Sequence, residues 1–143
     1  MISLKSEHEI NLMRAAGRLT GMTLDAVEKV IKPGITTEEI DAFAEKFIRS
    51  YGGVPSFLDY RGFPASICAS VNDVVVHGIP SKKIKLREGD IISIDIGVQL
   101  EGYHGDAART FGAGEISDKA KKLIEVTRQC FFEAVKFAHA GND

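Results

Sequence analysis

The chain has 143 residues, 44% hydrophobic and 27% charged, with a formal net charge of −2, which suits one soluble domain with a sizeable core. No block of like charges is present, and this argues against a nucleic-acid or membrane-surface partner held by bulk electrostatics. The opening Met-Ile-Ser-Leu soon becomes charged and no apolar run reaches membrane-spanning length, so a cytoplasmic location is expected.

The first helix is expected from Ser6, with Glu9 completing a capping box. Ile10, Met13, Gly17, Thr20, Leu24, Val27 and Ile31 recur at spacings of three and four, which predicts one buried face, and Pro33-Gly34 stops the helix. Thr36 and Glu39 form a second box ahead of Ile40, Phe43, Ala44, Phe47, Ile48 and Tyr51, and Gly52-Gly53 ends that helix. Residues 54–64, "VPSFLDYRGFP", predict no regular element. With Phe57, Tyr60 and Phe63 among glycine and proline, this loop either packs beneath a sheet or lines a pocket.

Strands are expected at 65–71, 73–77, 90–100 and 103–112. In the third, Ile92, Ile94, Ile96, Val98 and Leu100 alternate with Ser93, Asp95, Gly97 and Gln99, a strict period of two. Glu101-Gly102 suits a tight turn. A last helix runs from near Ser117 to about Ala138, with Ala120, Leu123, Ile124, Phe131 and Val135 on one face and Gly141-Asn142 as its cap. Cys68 and Cys130 form no C-x-x-C pattern and are expected to be reduced, buried thiols.

The turn decides what the acidic side chains can do. With a two-residue loop, Leu100 faces Tyr103, Asp95 faces Ala108 and Asp106 faces Gly97. Partners across an antiparallel ladder share a face, as do residues two apart on one strand. Both aspartates then lie on one face as diagonal neighbours, their Cβ atoms roughly 7 Å apart. From there two carboxylates can converge on metal ions about 3.5–4 Å apart, and the small residues Gly97 and Ala108 leave space for an ion. The alternative is a solvated sheet face, although Asp is depleted in strands and two like charges destabilise each other unless a cation balances them. His77, at an expected strand end, suits either a structural role or a site. His104 fits a side chain facing the same way as Asp106 rather than a ligand. His8 and His139 fit solvated helix surfaces.

"FPASICASVNDVVVHGIPS" and "GDIISIDIGVQLEGYHGDAARTF" strongly resemble the bacterial type I methionine aminopeptidases, and the opening helix and "IKPGITTEEID" fit the same family. The resemblance covers essentially the whole chain. It implies an α+β fold, half of a pita-bread (creatinase/aminopeptidase) architecture with an antiparallel sheet and helices packed on one face. The implied activity is metal-dependent removal of the initiator methionine from nascent polypeptides, with N-terminal Met-peptides as partners. The implied cofactors are two divalent ions, cobalt, manganese, iron or zinc, held by two aspartates, a histidine and two glutamates. Those aspartates match Asp95 and Asp106. The catalytic histidine matches His77, which would hydrogen-bond the substrate carbonyl. The methionine pocket matches Phe57, Tyr60, Phe63 and Cys68. Family members often carry a tyrosine where Phe63 stands, so the ring is kept and a hydroxyl lost.

The family's histidine ligand and both glutamates come after the point where this sequence stops. Residues 1–143 therefore resemble the N-terminal half of a methionine aminopeptidase-like catalytic domain, expected to be impaired or inactive alone. A truncated product, a natural short form, and association with a second copy or a missing half are the competing explanations. Half of a pseudo-symmetric fold leaves a sheet edge and apolar surface that invite pairing. Two other functions stay open: a non-catalytic binding protein on the same scaffold, and a proline-directed aminopeptidase of the same fold. The stretch "VNDVVVHGIPS" and the absence of a large N-terminal domain disfavour the latter.

Overall fold

The computed structural model describes residues 3–142. Both opening helices begin at the capping boxes. Ahead of α1 (Glu7–Glu28), the Glu9 N–H donates to Ser6 Oγ at 3.3 Å and the Ser6 N–H donates to Glu9 Oε2 at 2.7 Å. Thr36 and Glu39 do the same for α2 (Thr37–Ser50). Each box gives partners to N–H groups that a helix N-terminus otherwise leaves unpaired. The buried face of α1 is Ala16, Leu19, Thr20, Thr23, Leu24 and Val27. Ile10 and Met13, expected on that face, are exposed. The first turns of α1 lie near the β-hairpin tip, where Tyr103 Oη donates to Glu9 Oε1 at 3.0 Å, rather than over the core.

Four antiparallel strands follow: β1 (Val54–Pro55), β2 (Ile67–Val71), β3 (Ile91–Leu100) and β4 (Tyr103–Gly112). The central strand is β3, with β4 along one side and β2 and β1 along the other. Its ladder with β4 pairs Leu100 with Tyr103, Asp95 with Ala108 and Gly97 with Asp106. Glu101 and Gly102 have φ of 51° and 82°, the two positive values that a tight hairpin turn matched to strand twist requires. One sheet face then presents Ile92, Ile94, Ile96 and Val98, all fully buried with Leu24, Val27, Ile40 and Ile48 of the helices. At Gly105 of β4 a Cβ would lie 2.6 Å from the Gly17 Cα of α1, so that glycine sets the closest approach of helix to sheet.

Residues 73–77 are not the expected strand. The chain leaves the sheet at Asn72, whose φ is 50°. Its side chain donates to Asp90 Oδ1 at 2.9 Å and accepts the Ile91 N–H at 3.1 Å. Val74, Val75 and Val76 consequently project into solvent. Their β-branched chemistry favours a strand, but an asparagine in the left-handed region has already turned the backbone away from the ladder.

The last helix, α3 (Asp118–Val135), is capped by Ser117 as expected but buries none of its residues. Leu123, Phe131 and Val135 of its expected core face are 59%, 63% and 51% exposed, because that face meets no packed partner among the described residues. Cys130, expected to be buried, is exposed on this helix, whereas Cys68 is buried. The helix stops short of Ala138, leaving His139 beyond it, and Asn142 Nδ2 closes the following turn on Phe137 O at 3.0 Å. Among the described residues no helix is long and apolar enough to cross a membrane.

Two stability experiments follow from this packing. Gly105→Ala drives a Cβ into helix backbone that cannot yield locally and is expected to destabilise by at least about 2 kcal/mol, lowering Tm by about 6 °C or more. Gly21→Ala, where a Cβ meets nothing within 4 Å, is expected to stabilise by about 0.5–1 kcal/mol. Thermal unfolding by circular dichroism checks both.

Glu9 gives a pH test. Backbone and side-chain hydrogen bonds from Ser6, then the Tyr103 hydroxyl, lower its carboxyl to about 2. A depressed folded-state pKa contributes stability that is present above the unfolded value and lost as pH falls through about 2. Glu9→Gln is therefore expected to lower Tm at pH 7 by a margin that shrinks steadily from pH 5 to pH 2.

Candidate functional site

The sheet face opposite the isoleucines carries a cavity of about 680 Å³. Its lining includes Phe57, Tyr60, Phe63, Cys68, His77, Asp95 and Asp106, so every candidate singled out from the sequence meets there. Register accounts for three of them. Asp95 faces Ala108 across one ladder and Cys68 across the other, while Asp106 faces Gly97.

His77 arrives by a different route. After the exposed valines the chain returns to β2 at Gly78, whose carbonyl accepts the Ala69 N–H at 2.8 Å and whose N–H donates to Ser70 Oγ at 3.1 Å. A Cβ at Gly78 would collide with the Ala69 carbonyl oxygen, so only glycine permits this contact. His77 itself sits at φ 58°, an uncommon conformation for a residue with a side chain, next to the two bonds that anchor Gly78. Ile79 continues the cavity wall.

Phe57, Tyr60 and Phe63 come from the loop between β1 and β2, which contains a single 3₁₀ turn, Tyr60–Gly62. The loop therefore lines a pocket. Tyr60 stands at its rim, 62% exposed, with the Arg61 guanidinium carbon 5.5 Å from its ring centroid. The space over Gly97 is not left for an ion. A Cβ there would lie 2.6 Å from Phe57 Cε1 and 2.9 Å from Ser56 Cβ, so the missing side chain makes room for the loop. The cavity instead opens among Cys68, His77 and the two carboxylates. His104 shares the aspartate face as expected, and its Nδ1 lies 2.8 Å from Ser56 Oγ, which ties the aromatic loop to β4.

Asp41 of α2 was not visible as a site residue in the sequence. Its Oδ1 accepts the N–H groups of Ser66 and Ile67, each at 2.9 Å. Ser66 Oγ donates to Glu45 Oε2 at 3.1 Å. These bonds fix the start of β2 and thereby the placement of Cys68. No spacing rule flags such a residue, because its partners lie on a distant strand. Arg61 and Ile79 were missed as well; both neighbour residues that the motifs do mark.

Burial and then the Asp106 charge push the Asp95 carboxyl up to about 6, against the opposing pull of His77. Burial, followed by the charges of Asp95, Asp106 and Asp41, pushes the Cys68 thiol up to about 11. Two crowded carboxylates of this kind take up a proton or a cation. Among the described residues no group of three or more His, Cys, Asp or Glu side chains is gathered to hold a metal ion; the aspartates stand as a pair.

A family model described as metallopeptidase family M24 matches residues 11–143. The chain belongs to metallopeptidase family M24. Within that family it is similar to the methionine aminopeptidase of Clostridium acetobutylicum, 56% identical over 99% of this chain and 57% of that protein. The crystal structure of the Thermotoga maritima methionine aminopeptidase superposes with a TM-score of 0.92 at 38% identity, covering 95% of this chain and 55% of that one. An X-Pro aminopeptidase structure from Thermotoga maritima superposes less closely, with a TM-score of 0.79 at 27% identity over 96% of this chain and 38% of the other. The fold is thus α+β and corresponds to half of the pita-bread architecture of M24 methionine aminopeptidases. The chain spans about half the length of the curated relatives it matches. M24 membership implies a metal-dependent peptidase class.

Burial of Cys68 and the anchoring role of Asp41 are tested together by thiol labelling. Iodoacetamide at pH 7.5 is expected to modify Cys130 first and Cys68 only slowly. Asp41→Ala leaves two buried N–H groups unpaired, an expected loss of about 2 kcal/mol, and should speed Cys68 labelling without altering that of Cys130.

Proposed function

We propose that residues 1–143 form the N-terminal half of a catalytic domain that removes the initiator methionine from N-terminal Met-peptides with the help of two divalent ions. The observation that carries this is the meeting of Asp95, Asp106 and His77 in one cavity walled by aromatic rings and a thiol. Asp95 and Asp106 would hold the ions. They fit that role as hard anionic oxygen donors: burial and then the Asp106 charge raise the Asp95 carboxyl, and a cation would offset both. Carboxylate donors suit manganese or iron, and with imidazole also cobalt or zinc. Such ions supply Lewis-acid polarisation of a carbonyl and an acidified water.

The chain's own side chains would do the remaining work. His77 would donate a hydrogen bond to the scissile carbonyl oxygen and hold it as negative charge develops there. Phe57, Tyr60 and Phe63 would enclose the unbranched methionine side chain, with Cys68 at its end, a sulfur-tolerant surface that accepts a flexible thioether. Burial, followed by the nearby carboxylates, pushes the Cys68 thiol up to about 11, so without a bound ion it offers the thioether an uncharged wall. Two carboxylates give too few donors to retain two divalent ions tightly, so the 143-residue polypeptide alone is expected to be a poor catalyst.

Titration calorimetry with Mn²⁺ and peptide hydrolysis test the proposal. The polypeptide should bind Mn²⁺ weakly, with a Kd on the order of millimolar, and Asp95→Ala should abolish the heat. Fused to the C-terminal portion of a methionine aminopeptidase, it should cleave Met-Ala-Ser in preference to Xaa-Pro peptides. His77→Ala should lower kcat of that fusion by about 10²–10³. Equal heats for wild type and Asp95→Ala would favour a binding protein, and faster cleavage of Xaa-Pro peptides would favour a proline-directed enzyme.

A further inference from the structure

On the helix-covered side of the sheet, away from Asp95 and Asp106, two arginines of α1 have no part in the chemistry above. Arg14 and Arg18 are neighbours one turn apart and line a groove of about 390 Å³ whose apolar walls include Met22, Tyr51 and Leu100. Like charges at this spacing repel each other. Among the described residues neither guanidinium lies within 4.0 Å of a carboxylate, whereas Arg49 and Arg109 each pair with an acid at 2.7 Å. The one side-chain bond here runs from Arg14 Nη1 to Asn11 Oδ1 at 2.9 Å, and a neutral amide leaves the charge unbalanced. The apolar walls are open too: Met22 is 37% and Tyr51 54% exposed. Tyr51 is backed by Phe47, with ring centroids 4.9 Å apart, so the wall is braced.

We propose that this groove binds an acidic peptide segment, its carboxylates on Arg14 and Arg18 and an apolar or aromatic side chain against Met22, Tyr51 and Leu100. The guanidinium fork matches a carboxylate bidentately, and hydrocarbon beside paired cations matches a peptide that alternates acidic and apolar side chains. A nucleic acid would require a longer track of cations, and the chain carries a net charge of −2. The proposal does not rest on the peptidase reading, since its residues and the aspartate cavity lie on different faces of the sheet.

The test is fluorescence anisotropy with a fluorescein-labelled peptide of sequence Asp-Phe-Glu-Leu-Asp. Saturable binding is expected, weakened at least about tenfold by the double change Arg14→Gln, Arg18→Gln. It should also weaken as salt rises from roughly 50 to 500 mM. Lys82→Gln, remote from the groove, should leave it unchanged, and far-UV circular dichroism should show every variant folded. Replacing Phe and Leu of the peptide by Ser should reduce affinity at least about fivefold. The proposal is overturned by absence of saturable binding, by equal affinity of the double variant, or by equal affinity of the serine peptide. Tighter, arginine-dependent binding of a short single-stranded oligonucleotide overturns it too.

Discussion

The hairpin between β3 and β4 closes through two residues with positive φ, Glu101 and Gly102, and that turn sets the parity of everything beside it. With Leu100 opposite Tyr103, Ile92, Ile94, Ile96 and Val98 all point toward α1 and α2 and are fully buried. The same register sends Asp95 and Asp106 to the other face. A one-residue slip would exchange the faces of one strand, burying a carboxylate in the apolar core and separating the acidic pair. The hydrophobic core and the acidic site thus depend on one register, and the drive to bury the isoleucines holds the aspartates together.

The elements around the carboxylates shape the face that carries them. Gly97 gives up its side chain so that Ser56 and Phe57 can lie over β3. Gly78 presses against β2 and delivers His77 to the same cavity. Asp41 and Glu45 of α2 hold the entry to β2 through Ser66 and Ile67, which keeps Cys68 opposite Asp95. Apart from the Ser66–Glu45 side-chain bond, each device is a close backbone approach or a bond to backbone, so the site is built largely on the scaffold rather than on free side chains. Cys68, Asp95 and Asp106 sit on strands with fixed pairing, which holds their geometry more precisely than loops do.

Much of this was legible in the sequence where local rules act alone. The boxes at Ser6–Glu9 and Thr36–Glu39 announce their helices, and the alternation of 92–100 with the turn at 101–102 yields the register and the shared face of the aspartates. Composition left His77 and the aromatic loop open between packing and a site, the motif resemblance decided for the site, and all of these residues line one cavity. The rest depended on tertiary partners that sequence patterns do not contain. Val74–Val76 have strand chemistry, yet Asn72 turns them into solvent. The periodicity of α3 marks an apolar face but cannot say whether anything covers it. Gly97 promised an open space that Phe57 occupies, and Asp41 matters only through amides on a distant strand.

Anomalous diffraction from a crystal grown with Mn²⁺ tests the central claim most directly. A manganese peak within coordinating distance of both Asp95 and Asp106 carboxylates, on the face opposite Ile94 and Ile96, is the predicted result. Carboxylates directed to opposite sides of the hairpin, or manganese bound elsewhere while the pair stays free, would contradict it.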